Sequence, residues 1–169
     1  VQEVIVDGYN VIYADPELRR AMLRQPQSAR ERLATLLARY ARERDIRVTL
    51  VFDGARPSSD SRSEVPGRLQ VVFSRAGQSA DDLILSMVRH HPNARAVIVV
   101  SSDETDIGRS ARDLGAQVLG AGTFFTRISR ATRAGDNAGE MDGEKPTEID
   151  VDYWIRQFEK RRRTPRDGE

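Results

Sequence analysis

The segment Val4-Ile5-Val6-Asp7-Gly8-Tyr9-Asn10 sets a β-branched apolar run directly against an acid, a glycine and an asparagine. A short run of this kind reads as a strand buried on both faces, and the four residues after it as the turn at the strand's carboxyl end. The arrangement recurs along the chain. Val48-Thr49-Leu50-Val51-Phe52 leads into Asp53-Gly54, and Val97-Ile98-Val99-Val100 leads into Ser101-Ser102-Asp103. Leu69-Gln70-Val71-Val72-Phe73 and the short Gln117-Val118-Leu119 are further strand candidates. Between them lie stripes at helical spacing: Ala29, Leu33, Leu36, Leu37 and Tyr40; Ala80, Leu83, Ile84, Met87 and Val88; Ile107, Ala111 and Leu114. Gly115 comes next, where a glycine cap belongs. Strands alternating with helices predict an α/β fold with a mostly parallel central sheet of about five strands.

Composition narrows the chemistry. The 169 residues include 38% hydrophobic side chains, enough for a packed core, and 27 basic against 26 acidic residues, a formal charge of +1. That balance excludes a polycation that coats nucleic acid or membrane through bulk charge. Lys occurs only at Lys145 and Lys160, so nearly all the cations are Arg, which suits forked phosphate contacts. With no Cys there are no disulfides, thiolate metal sites or Cys nucleophiles, and a reducing cytoplasm is the expected compartment. No signal-peptide pattern opens the sequence, and no apolar run approaches the ~20 residues of a membrane span.

Ala55 to Arg68, rich in Ser and Pro, reads as a long polar loop of the kind that is often functional. Residues 132–147 carry Gly135, Gly139, Gly143 and Pro146 and read as a linker. Residues 148–169 then read as a C-terminal amphipathic helix, with Val151, Trp154, Ile155 and Phe158 on its apolar face, and a basic tail at Lys160-Arg161-Arg162-Arg163. The expected organisation is a folded α/β domain over 1–131, the linker, and that terminal helix.

The informative acids stand where strands end. Asp7 succeeds the first strand, Asp53 the second and Asp103 the fourth; Asp81 and Asp82 open the helix after the third, and Asp106 lies one turn beyond Asp103. In open α/β sheets ligands bind at the carboxyl edge where strand order reverses. If the first and fourth strands are neighbours, Asp7, Asp81 and Asp103 converge there, and clustered carboxylates repel unless a cation neutralises them. An all-oxygen donor set without His or Cys suits Mg²⁺ or Mn²⁺. Each acid also has a plainer reading. Asp103 is a good helix cap with Asp106 at its capping-box position, Asp81 and Asp82 complement a helix dipole, and Asp7 suits a turn. For Asp53-Gly54 the turn is the preferred reading. Asn10 either faces the same pocket as Asp7 or caps a helix at Val11-Ile12.

Other chemistries fit poorly. There is no G-x-x-x-x-G-K-[ST] loop, and Gly120-Ala121-Gly122 meets Phe125 where the third glycine of a dinucleotide fingerprint belongs. His90 and His91 are the only histidines and are adjacent, leaving no Ser–His–Asp triad. Metal-assisted hydrolysis survives this elimination.

At Val4-Ile5-Val6-Asp7-Gly8-Tyr9-Asn10, Phe52-Asp53-Gly54, Ser79-Ala80-Asp81-Asp82 and Ser101-Ser102-Asp103 the chain resembles the YacP-like branch of the NYN-domain proteins, in the PIN-like nuclease superfamily. The resemblance covers roughly residues 1–131, and the final helix is similar to the tails of some relatives. It implies a Rossmann-like three-layer sandwich and an endoribonuclease with an acidic Mg²⁺ or Mn²⁺ site that leaves a 5′-phosphate and a 3′-hydroxyl. By motif, Asp7, Asp81 and Asp103 fall on the principal metal-binding positions and Asn10 on the family's asparagine; Asp82 and Asp106 are secondary candidates. Relatives often carry an acid where Leu85 stands here, and Asp82 is the candidate replacement. The resemblance further implies mRNA as substrate and the ribosome as a partner. Arg56, Arg62, Arg68, Arg75 and Arg109 are the candidate phosphate contacts. The competing expectations are a non-catalytic RNA- or ribosome-binding module and a metal-dependent phosphatase for small phosphate esters.

Overall fold

The computed structural model of the chain describes residues 2–55, 68–103 and 105–136. Five strands, β1 (Glu3–Asp7), β2 (Arg47–Phe52), β3 (Leu69–Phe73), β4 (Val97–Val100) and β5 (Gln117–Leu119), form one sheet in the order β3-β2-β1-β4-β5. Every pairing is parallel, and β1 sits between β2 and β4, with Ile5 opposite both Thr49 and Val99. The apolar runs are buried on both faces: Val4, Ile5, Val6, Leu50, Val51, Val99 and Val100 are all at most 1% exposed. Strand order reverses between β1 and β4, so their carboxyl ends open the crevice typical of such sheets.

Helices cover both faces. Right-handed crossovers place the β1-to-β2 connection on one side and the β3-to-β4 and β4-to-β5 connections on the other. The first connection is α1 (Gly8–Ala14), α2 (Pro16–Arg24) and α3 (Pro26–Arg44); the others carry α4 (Ala80–His90), preceding a 3-10 turn at Ala94–Ala96, and α5 (Ile107–Asp113). A last helix, α6 (Ala121–Asp136), returns to pack on α1 and α3, where Phe124 meets Tyr40 edge-on with ring centroids 5.8 Å apart. On the opposite face Ile84 and Val88 of α4 and Ile107 and Ala111 of α5 pack over Ile5, Val51, Val97 and Val99. Gly115, at φ +95°, closes α5 as its position suggests.

The chain divides after Asp136 into two units, and the described residues all belong to the first. Helix α6 runs through residues 132–136, where the glycine content reads as the start of a linker. The remainder of that linker and the terminal helix with Trp154 lie outside the described residues, as do Arg56 and Arg62 and most of the Ala55-to-Arg68 loop. Among the described residues no helix is long and apolar enough to cross a membrane.

The turn after β1 is fixed by packing. A Cβ on Gly8 would stand 2.3 Å from Phe52 Cε1. Phe52 cannot yield, because its ring is buried between Tyr9 and Phe73 at centroid distances of 5.0 and 5.4 Å. Only glycine lets α1 start flush against the sheet. Gly8→Ala is therefore expected to lower stability by about 1–3 kcal/mol, the usual cost of overpacking a filled core. A urea midpoint unchanged from the parent protein would contradict this packing.

Candidate active site at the β1/β4 edge

Asp7 is the last residue of β1 and the N-cap of α1, and it is 7% exposed. Its Oδ1 accepts the Asn10 N–H at 3.3 Å and its Oδ2 accepts Asn10 Nδ2 at 2.7 Å. Asn10 is thus not the cap of α1 but its third residue, and its amide is directed back over the sheet edge. The same Nδ2 also donates to Ser101 Oγ at 3.1 Å, just beyond β4, and Ser101 Oγ accepts the Asp103 N–H at 3.1 Å. One hydrogen-bonded chain therefore joins the ends of β1 and β4, running from Asp7 through Asn10 and the fully buried Ser101 to Asp103.

The acids at this edge divide into those committed to backbone and those left open. Helix α4 is capped by Ser79, whose hydroxyl accepts the Asp82 N–H at 3.1 Å while Asp82 Oδ2 accepts the Ser79 N–H at 3.2 Å. That reciprocal box occupies Asp82. The Asp82 charge still acts on Asp81, and the Leu85 side chain, where relatives often carry an acid, is half-buried against the core. Asp81, between them, makes no side-chain hydrogen bond among the described residues. Burial raises its carboxyl above the ordinary range, and the charges of Asp103, Asp82, Asp53 and Asp106 raise it further. Asp106 stands just before α5 without a side-chain cap bond.

Asp7 and Asp103 are pushed in opposite directions. Desolvation raises Asp7 from 3.8 to about 6, reinforced by the negative charges of Asp81 and Asp53 and opposed by the Asn10 hydrogen bonds. Asp103 is held below the ordinary range by the Asp106 N–H, the Thr105 hydroxyl and the Thr105 N–H, all of which donate to Oδ1 at 2.8–3.1 Å. The plainer reading of Asp103 as a cap is thus realised in its Oδ1, on the turn preceding α5. Its Oδ2 has no such partner among the described residues.

The leading influences on Asp7 and Asp81 are burial, hydrogen bonding from Asn10 in the case of Asp7, and the charges of other acids. Carboxylates whose leading charge influences are other carboxylates match a hard divalent cation in donor chemistry. As the side chains stand, however, no three His, Asp or Glu among the described residues close into a metal-holding group. Mg²⁺ commonly uses only one or two carboxylates and keeps several waters, so a closed three-ligand cluster is not a requirement of its chemistry.

The remaining candidates separate by position. Arg75, on the β3-to-α4 turn, and Arg109, on the first turn of α5, are exposed at the same edge of the sheet as the acids. Arg68 precedes β3, at the opposite edge, and is ion-paired with Asp45. It cannot line this crevice, because parallel strands place every strand start on the far side. Two residues escaped the sequence reading: Ser101, visible only as part of a motif, and Asp53, read as a turn residue.

The raised Asp7 carboxyl makes stability pH-dependent. A folded-state value near 6 against 3.8 unfolded means the fold holds this proton more tightly, so stability falls as pH rises from about 4 to about 6 and stays reduced at higher pH. The full penalty is on the order of 3 kcal/mol at neutral pH. Asp7→Asn removes it but turns an amide nitrogen towards the Asn10 amide. We expect a net gain of about 1–2 kcal/mol at pH 8, in chelator, shrinking as pH falls through 6 towards 4. Chemical denaturation across that range checks it, and a gain independent of pH would contradict it.

Comparison with known proteins agrees with this architecture. Residues 4–162 match the model of the YacP-like NYN domain. The chain is 29% identical over 153 residues to the uncharacterized protein YacP of Bacillus subtilis (strain 168), covering 85% of each sequence. It shares its fold with the crystal structure of Rae1 (YacP) from Bacillus subtilis, at a TM-score of 0.69 and 21% identity over 96% of this chain and 84% of that one. A tryptophan-to-leucine mutant of that protein matches at a TM-score of 0.64 and 22% identity, over 83% and 86% respectively. The chain belongs to the YacP-like NYN domain family, a branch of the PIN-like nucleases.

Proposed function

We propose that this protein is a divalent-cation-dependent endoribonuclease that hydrolyses RNA phosphodiester bonds at the β1/β4 edge. Membership of the NYN family points to a nuclease-like, RNA-related role. The observation that supports the catalytic reading is Asp7, a desolvated carboxylate whose proton is held more tightly by the charges of Asp81 and Asp53, while Asp81 is raised in turn by the acids around it. A fold that only binds RNA gains nothing from such a pair, whereas a hydrolase gains a place for a cation at the point where a phosphate would enter.

In this reading Asp7 and Asp81 hold Mg²⁺ or Mn²⁺, and Asp103 contributes through Oδ2. The cation supplies neutralisation of phosphoryl charge and a water of lowered pKa. The chain's own residues do the rest. Asn10 holds both oxygens of Asp7 in one orientation, and Ser101 holds Asn10, so the carboxylate meets its ligand without reorganising. Asp106 stands within electrostatic range of Asp81 and keeps the edge negative. Arg75 and Arg109 flank it with exposed guanidinium groups that can fork onto the RNA backbone on either side of the scissile phosphate.

A second reading has one observation in its favour. The lack of a closed three-ligand cluster among the described residues suits a non-catalytic RNA-binding module. Incubation of the full chain with a structured mRNA distinguishes the two. Cleavage is expected with Mn²⁺ and none with chelator. Asp7→Asn and Asp81→Asn should each reduce it by about 100-fold or more, the scale lost when one charge-stabilising group leaves a reacting centre. RNA retained but uncut by the wild-type protein in Mn²⁺, or cut equally in chelator, would contradict the catalytic reading.

A further inference from the structure

Asp53 ends β2 in a sequence context, Asp53-Gly54, that resembles a simple turn, yet its carboxylate does more than close one. Oδ1 accepts the Ser74 hydroxyl at 3.0 Å and the Ala80 N–H at 3.1 Å. Ser74 is 2% exposed and stands directly after β3; its N–H donates to the Phe52 carbonyl at 2.9 Å and its Oγ accepts the Gly54 N–H at 2.8 Å. Ala80 is the first residue of α4, and the next residue is Asp81. A single oxygen therefore ties together the ends of β2 and β3 and the start of the helix that carries Asp81.

The Ala80 N–H is one of the donors that a helix start leaves without an intrahelical partner. Ser79 and Asp82 satisfy each other through the capping box, which anchors α4 only to itself. The bond from Asp53 reaches this helix start from the sheet, across 27 residues of sequence. Remove it and α4 keeps its cap but loses its anchor to the β2 end. Asp53 also lies close enough for its charge to act on both Asp7 and Asp81.

We infer that Asp53 is a positioning residue, fixing α4 against the sheet edge so that Asp81 stands beside Asp7. This rests on the cation-site reading proposed for the β1/β4 edge. Residues that orient ligands typically change metal affinity 10–100-fold when removed. The anchor needs an acceptor oxygen rather than a charge, which makes Asp53→Asn and Asp53→Ala different experiments. Asp53 is exposed, so neither substitution opens the core.

Mn²⁺ binding to the full chain, monitored by the electron paramagnetic resonance of the free ion, gives the affinity. Amide hydrogen exchange at Ala80 reports the bond itself. Asp53→Ala should weaken Mn²⁺ binding by about tenfold or more and accelerate exchange at Ala80. Asp53→Asn, which keeps the acceptor, should restore both to within about threefold of wild type. Wild-type affinity in Asp53→Ala, or an Asp53→Asn variant as impaired as Asp53→Ala, would overturn the positioning role while leaving the cation site standing. Failure of the wild-type protein to bind Mn²⁺ would overturn the cation-site reading and the positioning role with it.

Discussion

The site depends on a carboxylate at the end of β1 that is kept out of water and held there by an asparagine three residues on. Asp7 caps α1, so it cannot be moved without loosening the helix, and its burial raises the free energy of the charged form. The fold accepts this because Asn10 supplies two donors and Ser101 fixes Asn10 in turn. Gly8 allows the whole turn to sit against Phe52. Each of these residues serves the geometry of one oxygen pair at the sheet's reversal point.

The acids around it are arranged by division of labour. Asp82 secures the cap of α4, Asp53 ties that helix to β2 and β3, and Asp103 Oδ1 organises the turn before α5. The Asp81 carboxylate makes no hydrogen bond with a described residue. A carboxylate kept open while its neighbours serve as scaffold is what a ligand site requires, and its cost in stability falls on the same edge that is proposed to act.

Much of this was legible in the sequence, for physical reasons. Strands β1, β2 and β4 are continuous or nearly continuous apolar runs, the signature of burial on both faces of a parallel sheet, while the partly buried edge strands β3 and β5 carry Gln70 and Gln117. The carboxyl-edge acids could be placed because a strand end is fixed by where the run stops. Helix α2 carries no long apolar stripe, and only Leu18 of it is buried, so its pattern is weak; Pro16 and Pro26 occupy the first positions of α2 and α3, where a missing N–H is harmless. Helix α6 was not read from the sequence, although Phe124 and Ile128 at helical spacing carry its buried face, and its last turn overlaps the glycine-containing stretch read as a linker. Which oxygen of which acid was free could not be read at all. That depends on partners distant in sequence, such as the Ser101 hydroxyl that accepts from Asn10 and the Ala80 N–H that donates to Asp53. The position of Arg68 was lost for the opposite reason: its proximity to a polar loop suggested a role, while the strand direction puts it at the far edge.

If Asp7 and Asp81 together hold a divalent cation, that ion can be located in the molecule itself. Anomalous diffraction at the manganese edge, from crystals of the protein grown with Mn²⁺, locates it without recourse to activity. We expect a peak coordinated by carboxylate oxygens of both residues. A peak that touches neither, or no peak at saturating Mn²⁺, would contradict the shared site.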